Sequence, residues 1–199
     1  MIRTFTISIL ALCLSSAAAF SQVGTSAQKS LGIGLRLGDP TGFTLKKYFG
    51  NDALEFNIGI PLNHGYDYGT YYYDKHYNGK PFYNGYYYDN YHYNGGIAIQ
   101  LHYLKHFDIK PVEGLQWYVG GGGQFRDHFY EVRYHDNYGY YHAEKQSYML
   151  VGLDVLGGAE YTFRNFPASV FADLNFFLSF AQQVAFYPQF GLGGRFNIK

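Results

Sequence analysis

Charged residues sit inside alternating apolar and polar stretches at Arg36, Lys46, Glu55, Asp154, Glu160, Asp173 and Arg195. Each falls on the side opposite the apolar stripe of its stretch. Charges of both signs on a common face can pair across a narrow interior. An isolated buried charge costs roughly several kcal/mol, whereas a paired and hydrogen-bonded one is tolerated.

Nucleophilic chemistry is marked far less clearly. The chain has no G-x-S-x-G and no H-E-x-x-H, and its single cysteine, Cys13, lies in the leader-like first residues. Ser147 and Ser179 stand at strand ends, and His102, His106, His128 and His142 are the histidines that could serve as a base. They keep open the alternative of a membrane-embedded lipid hydrolase or acyltransferase. His64, His76, His92, His128, His135 and His142 fall among Asp and Tyr in loop-like sequence, but none forms a close ligand pair. Neither a catalytic residue, a metal nor a cofactor is expected.

The third chemistry is aromatic. Tyr71, Tyr72 and Tyr73 lead to Asp74 and then Tyr77-Asn78-Gly79, and Tyr86, Tyr87 and Tyr88 lead to Asp89 and then Tyr93-Asn94-Gly95, a rough internal repeat. Tyrosine supplies a large contact area at low entropy cost together with a hydroxyl, which suits recognition of an extracellular protein or glycan. Equally, such tyrosines can pack on one another, shield a barrel mouth or sit in an interfacial belt.

The elements that must position these residues read as strands. In Leu31–Phe49, Leu31, Ile33, Leu35 and Leu37 alternate with Gly32, Gly34, Arg36 and Gly38, and Asp39-Pro40-Thr41-Gly42 turns the chain back through Phe43 and Leu45. Period-two alternation recurs over Ala53 to Ile60, Gly96 to Phe107, Leu115 to Phe125, Ser147 to Phe163, Ala168 to Ser179 and Tyr187 to Ile198. The intervening segments 61–94 and 126–146 read as long loops rich in Tyr, the second also in His, and the first has the turn signals for short hairpins that extend the barrel.

About eight strands of roughly ten residues match the spanning length of a tilted β-strand, and an even number can close with no exposed edge. Connections after strands two, four and six are short and those after three, five and seven are longer; the connection after strand one, Asp39 to Gly42, is the exception and stays short. The fold expected is therefore all-β: a closed antiparallel eight-stranded transmembrane β-barrel with short periplasmic turns and longer extracellular loops. A soluble sandwich is the competing fold, and in it the same charges would simply meet water. A narrow transport path along the polar face is a further alternative, although eight strands leave only enough room for side chains to fill.

Residues 1–22 look like a secretory signal, with Arg3, an apolar run from Ile7 to Leu14 and the small residues Ala17-Ala18-Ala19. Residues 23–199 then form one outer-membrane domain without a disulfide. The 199-residue chain balances 15 basic against 15 acidic side chains, so no nucleic-acid partner is indicated; 21% of its residues are aromatic. Outer-membrane lipid is the expected surroundings and a monomer the expected state.

The run Leu35-Arg36-Leu37-Gly38-Asp39-Pro40-Thr41-Gly42 resembles the opening hairpin of the small exported outer-membrane β-barrel proteins of Gram-negative bacteria, the eight-stranded OmpA/OmpX-like kind. The stretch from Val151 to Phe163 is similar to the later glycine, acid and tyrosine strand of that family. The resemblance covers most of residues 31–198. It implies a cell-outer-membrane barrel, non-enzymatic, with structural or surface-recognition roles, and says almost nothing about activity. The Tyr-rich segment 61–94 departs from the family pattern, as does the ending Phe196-Asn197-Ile198-Lys199, where a terminal aromatic is usual.

Overall fold

The computed structural model of the protein describes residues 29–62, 82–83, 86–136, 138–181 and 184–198. The leader expected over 1–22 lies outside the described residues, as do Tyr71, Tyr72 and Tyr73. The described elements are strands: β1 (Leu31–Gly38), β2 (Thr41–Phe49), β3 (Asp52–Ile60), β4 (Phe82–Tyr83), β5 (Tyr86–Asp108), β6 (Leu115–Asp136), β7 (Tyr141–Thr162), β8 (Ala168–Ser179) and β9 (Ala185–Ile198).

The strand order is β3-β2-β1-β9-β8-β7-β6-β5-β4, and an additional β3–β5 pairing closes all but β4 into a ring of eight. Every pairing is antiparallel, with the first and last ring strands meeting at Leu31 and Ile198. Among the described residues the short β4 pairs only with the start of β5.

The register fixes the shape of the ring. Followed from strand to strand it leads from Leu31 through Lys47, Leu54, Tyr103, Gly121, Val155 and Phe176 to Pro188. The direct partner of Leu31 on β9 is Ile198, ten residues beyond Pro188, so the ring closes with a stagger of ten. Such a stagger tilts the strands by about 40° and leaves an interior that side chains can fill.

Alternation makes the two faces. Along β8, Ser169, Phe171, Asp173, Asn175, Phe177 and Ser179 are buried inside the ring, while Val170, Leu174, Phe176 and Leu178 are exposed outside. The same inversion, polar within and apolar without, runs round the barrel.

Strand length divides the molecule. β1, β2 and β3 have 8, 9 and 9 residues, whereas β5, β6 and β7 have 23, 22 and 22. Pairing of β3 with β5 ends at Gly59 and Ala98, and pairing of β8 with β7 ends at Ser179 and Gly152. Beyond those points β5, β6 and β7 continue as a sheet that leaves the ring, with β6 in the middle.

This corrects the reading of 126–146 as a loop. The segment is strand to Asp136 and again from Tyr141. Residues 86–94 likewise belong to β5, which places Tyr86, Tyr87 and Tyr88 on a strand and not in a loop. The reason is physical. Loss of apolar alternation marks where one face of a strand ceases to need an apolar solvent, not where backbone pairing stops, and Tyr and Val still favour extended backbone.

Candidate functional site

The interior is built in layers. Lowest, at the end shared by the ring termini and the turns at 50–51, 109–114 and 163–167, Glu160 is a hub. Its Oε2 accepts from Lys46 Nζ at 3.0 Å and from Arg195 Nη1 at 3.1 Å, and its Oε1 accepts the Tyr48 hydroxyl at 2.9 Å and the Lys29 ammonium. Arg195 Nη2 also donates to Glu55 Oε2 at 2.6 Å, and Lys46 Nζ stands 3.5 Å from the same oxygen. Four of the seven strand charges, Lys46, Glu55, Glu160 and Arg195, thus share one cluster.

Beside it, Arg36 makes a two-pronged contact with Asp173, Nη1 to Oδ2 and Nη2 to Oδ1, each at 2.7 Å. This paired geometry suits the planar guanidinium and strengthens the contact. The Tyr118 hydroxyl donates to Asp173 Oδ2 at 3.3 Å. Glycine at 191 makes the room: a Cβ there would lie 2.1 Å from Arg36 Cζ. Asp154 stands apart from both clusters and faces His102 Nε2 at 2.8 Å.

Above the charges lies a layer of amides. Asn57 donates to Gln100 at 3.1 Å, Gln100 to Gln189 at 3.3 Å and Asn175 to Gln189 at 3.1 Å. Higher still, Arg126 of β6 donates to Asp39, whose Oδ1 also accepts the Leu62 amide at 3.2 Å. Two apolar clusters bracket this polar column. Tyr48, Ala53, Leu104, Tyr118 and Leu156 form the lower one; Tyr130, Tyr148, Leu150, Phe177 and Tyr187 form the upper. Inside the ring the buried cations Arg36, Lys46, Arg126 and Arg195 face the buried acids Asp39, Glu55, Asp154, Glu160 and Asp173. The part-buried Lys29, on Glu160, adds a fifth cation to the column.

The serine and histidine candidates do not assemble. Ser147 is exposed, and the Ser179 hydroxyl donates to the Ala181 carbonyl at 3.4 Å. His106 lies between the rings of Tyr48 and Tyr118, at 5.9 and 5.3 Å, and His128 is 5.9 Å from the ring of Tyr93. His142 Nε2 faces Asp136 Oδ2 at 3.4 Å, and the His135 ring lies 5.7 Å from that of Tyr141. His64 and His76 lie outside the described residues. Among the described residues no three His, Cys, Asp or Glu side chains converge as a metal site.

Several interior residues escape a reading based on charge within strands. Asp39 belongs to the turn sequence yet reaches Arg126 across the mouth; Tyr48 and Tyr118 look like belt aromatics but their hydroxyls bind carboxylates inside. Parity could have found both tyrosines, since Tyr48 is two residues from Lys46 and Tyr118 two from Gly120 on the inward side.

The outer face completes the picture. Leu35, Val155 and Leu174 are about 60% exposed, at 59, 62 and 60%, and belong to a band of exposed Leu, Ile, Val and Phe that encircles the ring. Such a band would drive association in water and is satisfied by hydrocarbon. A closed ring with charges inside and this band outside is a transmembrane β-barrel.

No family model and no curated protein sequence matches the chain. Among solved structures it is similar to Ail, the attachment invasion locus protein of Yersinia pestis, at 12% identity and a TM-score of 0.47, covering 85% of this chain and 97% of that one. The same protein in complex with the heparin analogue sucrose octasulfate gives 12% identity and a TM-score of 0.48, with 85% and 97% covered. Neisserial surface protein A gives 11% identity and a TM-score of 0.44, covering 84% of this chain and 94% of that one.

Proposed function

We propose that the protein is a non-enzymatic barrel of the Gram-negative outer membrane whose interior is closed by its own side chains and whose projecting β5–β7 sheet is a surface-recognition platform. The observation that carries this reading is the departure of three strands from the ring beyond the apolar band. Outward side chains on β7 are apolar up to Met149 and then become Ser147 and Lys145; on β6 they carry no charge up to Phe125, beyond which Asp127, Phe129, Glu131 and Arg133 follow. A sheet continued past the lipid boundary contributes nothing to spanning the membrane, and its tip carries Tyr138, Tyr140 and Tyr141 at 88, 70 and 81% exposure.

The matched, bracketed interior supports closure over conduction. Glu160 and Asp173 hold their cations directly, so opening a path means separating buried ion pairs. Purified protein in planar bilayers is therefore expected to show no discrete conductance steps.

The experiment for the recognition role replaces residues 133–143 by a two-residue turn. The shortened protein is expected to keep the heat-dependent gel shift of a closed barrel, while cells displaying it lose adherence to glycan- and protein-coated surfaces. Unchanged adherence would remove the recognition role. Labelling of Lys145→Cys by a membrane-impermeant maleimide on intact cells, with Glu113→Cys unlabelled, is the outcome expected for the outer-membrane orientation.

A further inference from the structure

The tip of the projection is more ordered than a four-residue connection needs to be. The Asp136 Oδ1 accepts the amides of Tyr138 and Tyr140 at 2.9 and 3.0 Å. The Asp136 amide donates to the Tyr140 carbonyl at 3.1 Å, and the Gly139 amide donates to the Asp136 carbonyl at 3.0 Å. Gly139 adopts φ +83°, a conformation that side-chain-bearing residues rarely take. One carboxylate therefore fixes the turn and holds three tyrosines outward. Large aromatic faces left in water on a fixed frame have already lost the conformational entropy that binding would otherwise cost.

Three observations define the partner. The first is height. From Met149, the last large apolar outward residue of β7 before the tip, to Tyr141 is eight residues, which along a tilted strand is about 20 Å. These rings are too far from the hydrocarbon to be interfacial anchors. The second is charge. The described charges of the hairpin, Glu131, Arg133, Asp136, Glu144 and Lys145, mix both signs, Arg133 is paired with Glu131 at 2.7 Å and Asp136 is engaged in the turn. That is neither the cation cluster a sulfated or phosphorylated polymer requires nor an acidic patch for a basic one. The third is size. Three rings round one turn fall well short of the roughly 800 Å² per partner of a stable protein interface.

A neutral saccharide fits all three. It presents C–H faces that stack on aromatic rings and hydroxyls that exchange hydrogen bonds with phenols, and it needs no charge. We propose that Tyr138, Tyr140 and Tyr141 form a stacking site for uncharged glycans at the tip of the β6–β7 hairpin. This rests on the projection being a recognition surface and adds the class of ligand.

Saturation-transfer NMR on the full-length protein in nanodiscs tests it, with maltoheptaose, cellopentaose and chitopentaose as neutral probes and dextran sulfate as the charged one. Transfer to ring C–H protons of at least one neutral probe is expected, with affinity lowered roughly tenfold or more when Tyr138, Tyr140 and Tyr141 are all replaced by Ser and largely kept when all three become Phe. The hairpin variants leave the ring intact, so the heat-dependent gel shift controls for folding. No transfer from any neutral probe overturns the proposal, as does binding of dextran sulfate alone or transfer that survives the triple Ser change. If adherence of cells still depends on the projection while the neutral probes fail, the ligand class is wrong and the recognition platform stands; loss of both removes the platform as well.

Discussion

Strands β5, β6 and β7 obey different rules below and above the rim of the ring. Below it both edges of the three-stranded segment are paired, by β3 on one side and β8 on the other, and its inward residues His102, Asp154 and Glu160 are polar and buried. Above it the sheet has no ring neighbours, and Glu144, Lys145 and Tyr141 meet solvent. The same backbone pairing continues through both halves. What changes is closure: a charge can be buried only where strands on the far side of the ring bring its partner, and among the described residues the projection has no far side.

The largest effect should therefore come from removing an acid below the rim. Glu160→Ala leaves Lys46 and Arg195 without one shared acceptor and Tyr48 without its carboxylate. The expected loss is about 3–5 kcal/mol, because a buried carboxylate is removed and Lys46 and Arg195 are left to share Glu55 alone. The exposed Glu144→Ala above the rim is expected to change stability by less than about 0.5 kcal/mol. Urea unfolding of both variants in lipid vesicles checks the pair, and equal midpoints would break the comparison.

A smaller contrast applies to the outer face. Val155 is 62% exposed on the band of β7, and Ser147 points the same way on the same strand beyond it. Val155→Arg is expected to cost about 2–4 kcal/mol, as for a charge near the bilayer midplane, and Ser147→Arg close to nothing. The same urea titrations read both. A comparable cost at Ser147 would place the lipid boundary higher than the apolar band does and shorten the projection.

These two contrasts also explain how much of the fold is legible in the sequence. Alternation around Arg36, Glu55, Asp173 and Arg195 tells which residues share a face. It does not tell which of them meet, because partners are set by the stagger of the ring: Arg36 reaches Asp173 from 137 positions away, and Asp154 is left to His102. Sequence likewise ends a strand where apolar residues end, at Phe125 and Ser147, since lipid is what the outward face records. The continuation to Asp136 and from Tyr141 is held by backbone pairing and cross-strand contacts that require no apolar stripe. Asp39 was hidden for a third reason: turn chemistry accounts for its presence fully, so nothing in the local sequence points to Arg126.

The smallest effect, and the one that most sharpens the difference between the two halves, is at the tip. Desolvation acts to raise the Asp136 carboxyl, but the amides of Tyr140 and Tyr138 and the ring of His142 outweigh it and hold the group below its ordinary 3.8. A carboxylate with a depressed folded value stabilises the turn fully above its unfolded value, and the stabilisation fades as the pH falls through the folded one. Acidification from neutral to below 3.8 should therefore loosen the hairpin tip while the closed ring keeps its pairing. Amide resonances of Tyr138 and Tyr140 are expected to move together with a midpoint below 3.8, and Asp136→Asn should abolish that shared transition. A midpoint at or above the ordinary value would mean that the carboxylate does not hold the turn, and the three exposed tyrosines would then lack the fixed frame that separates them from an ordinary loop.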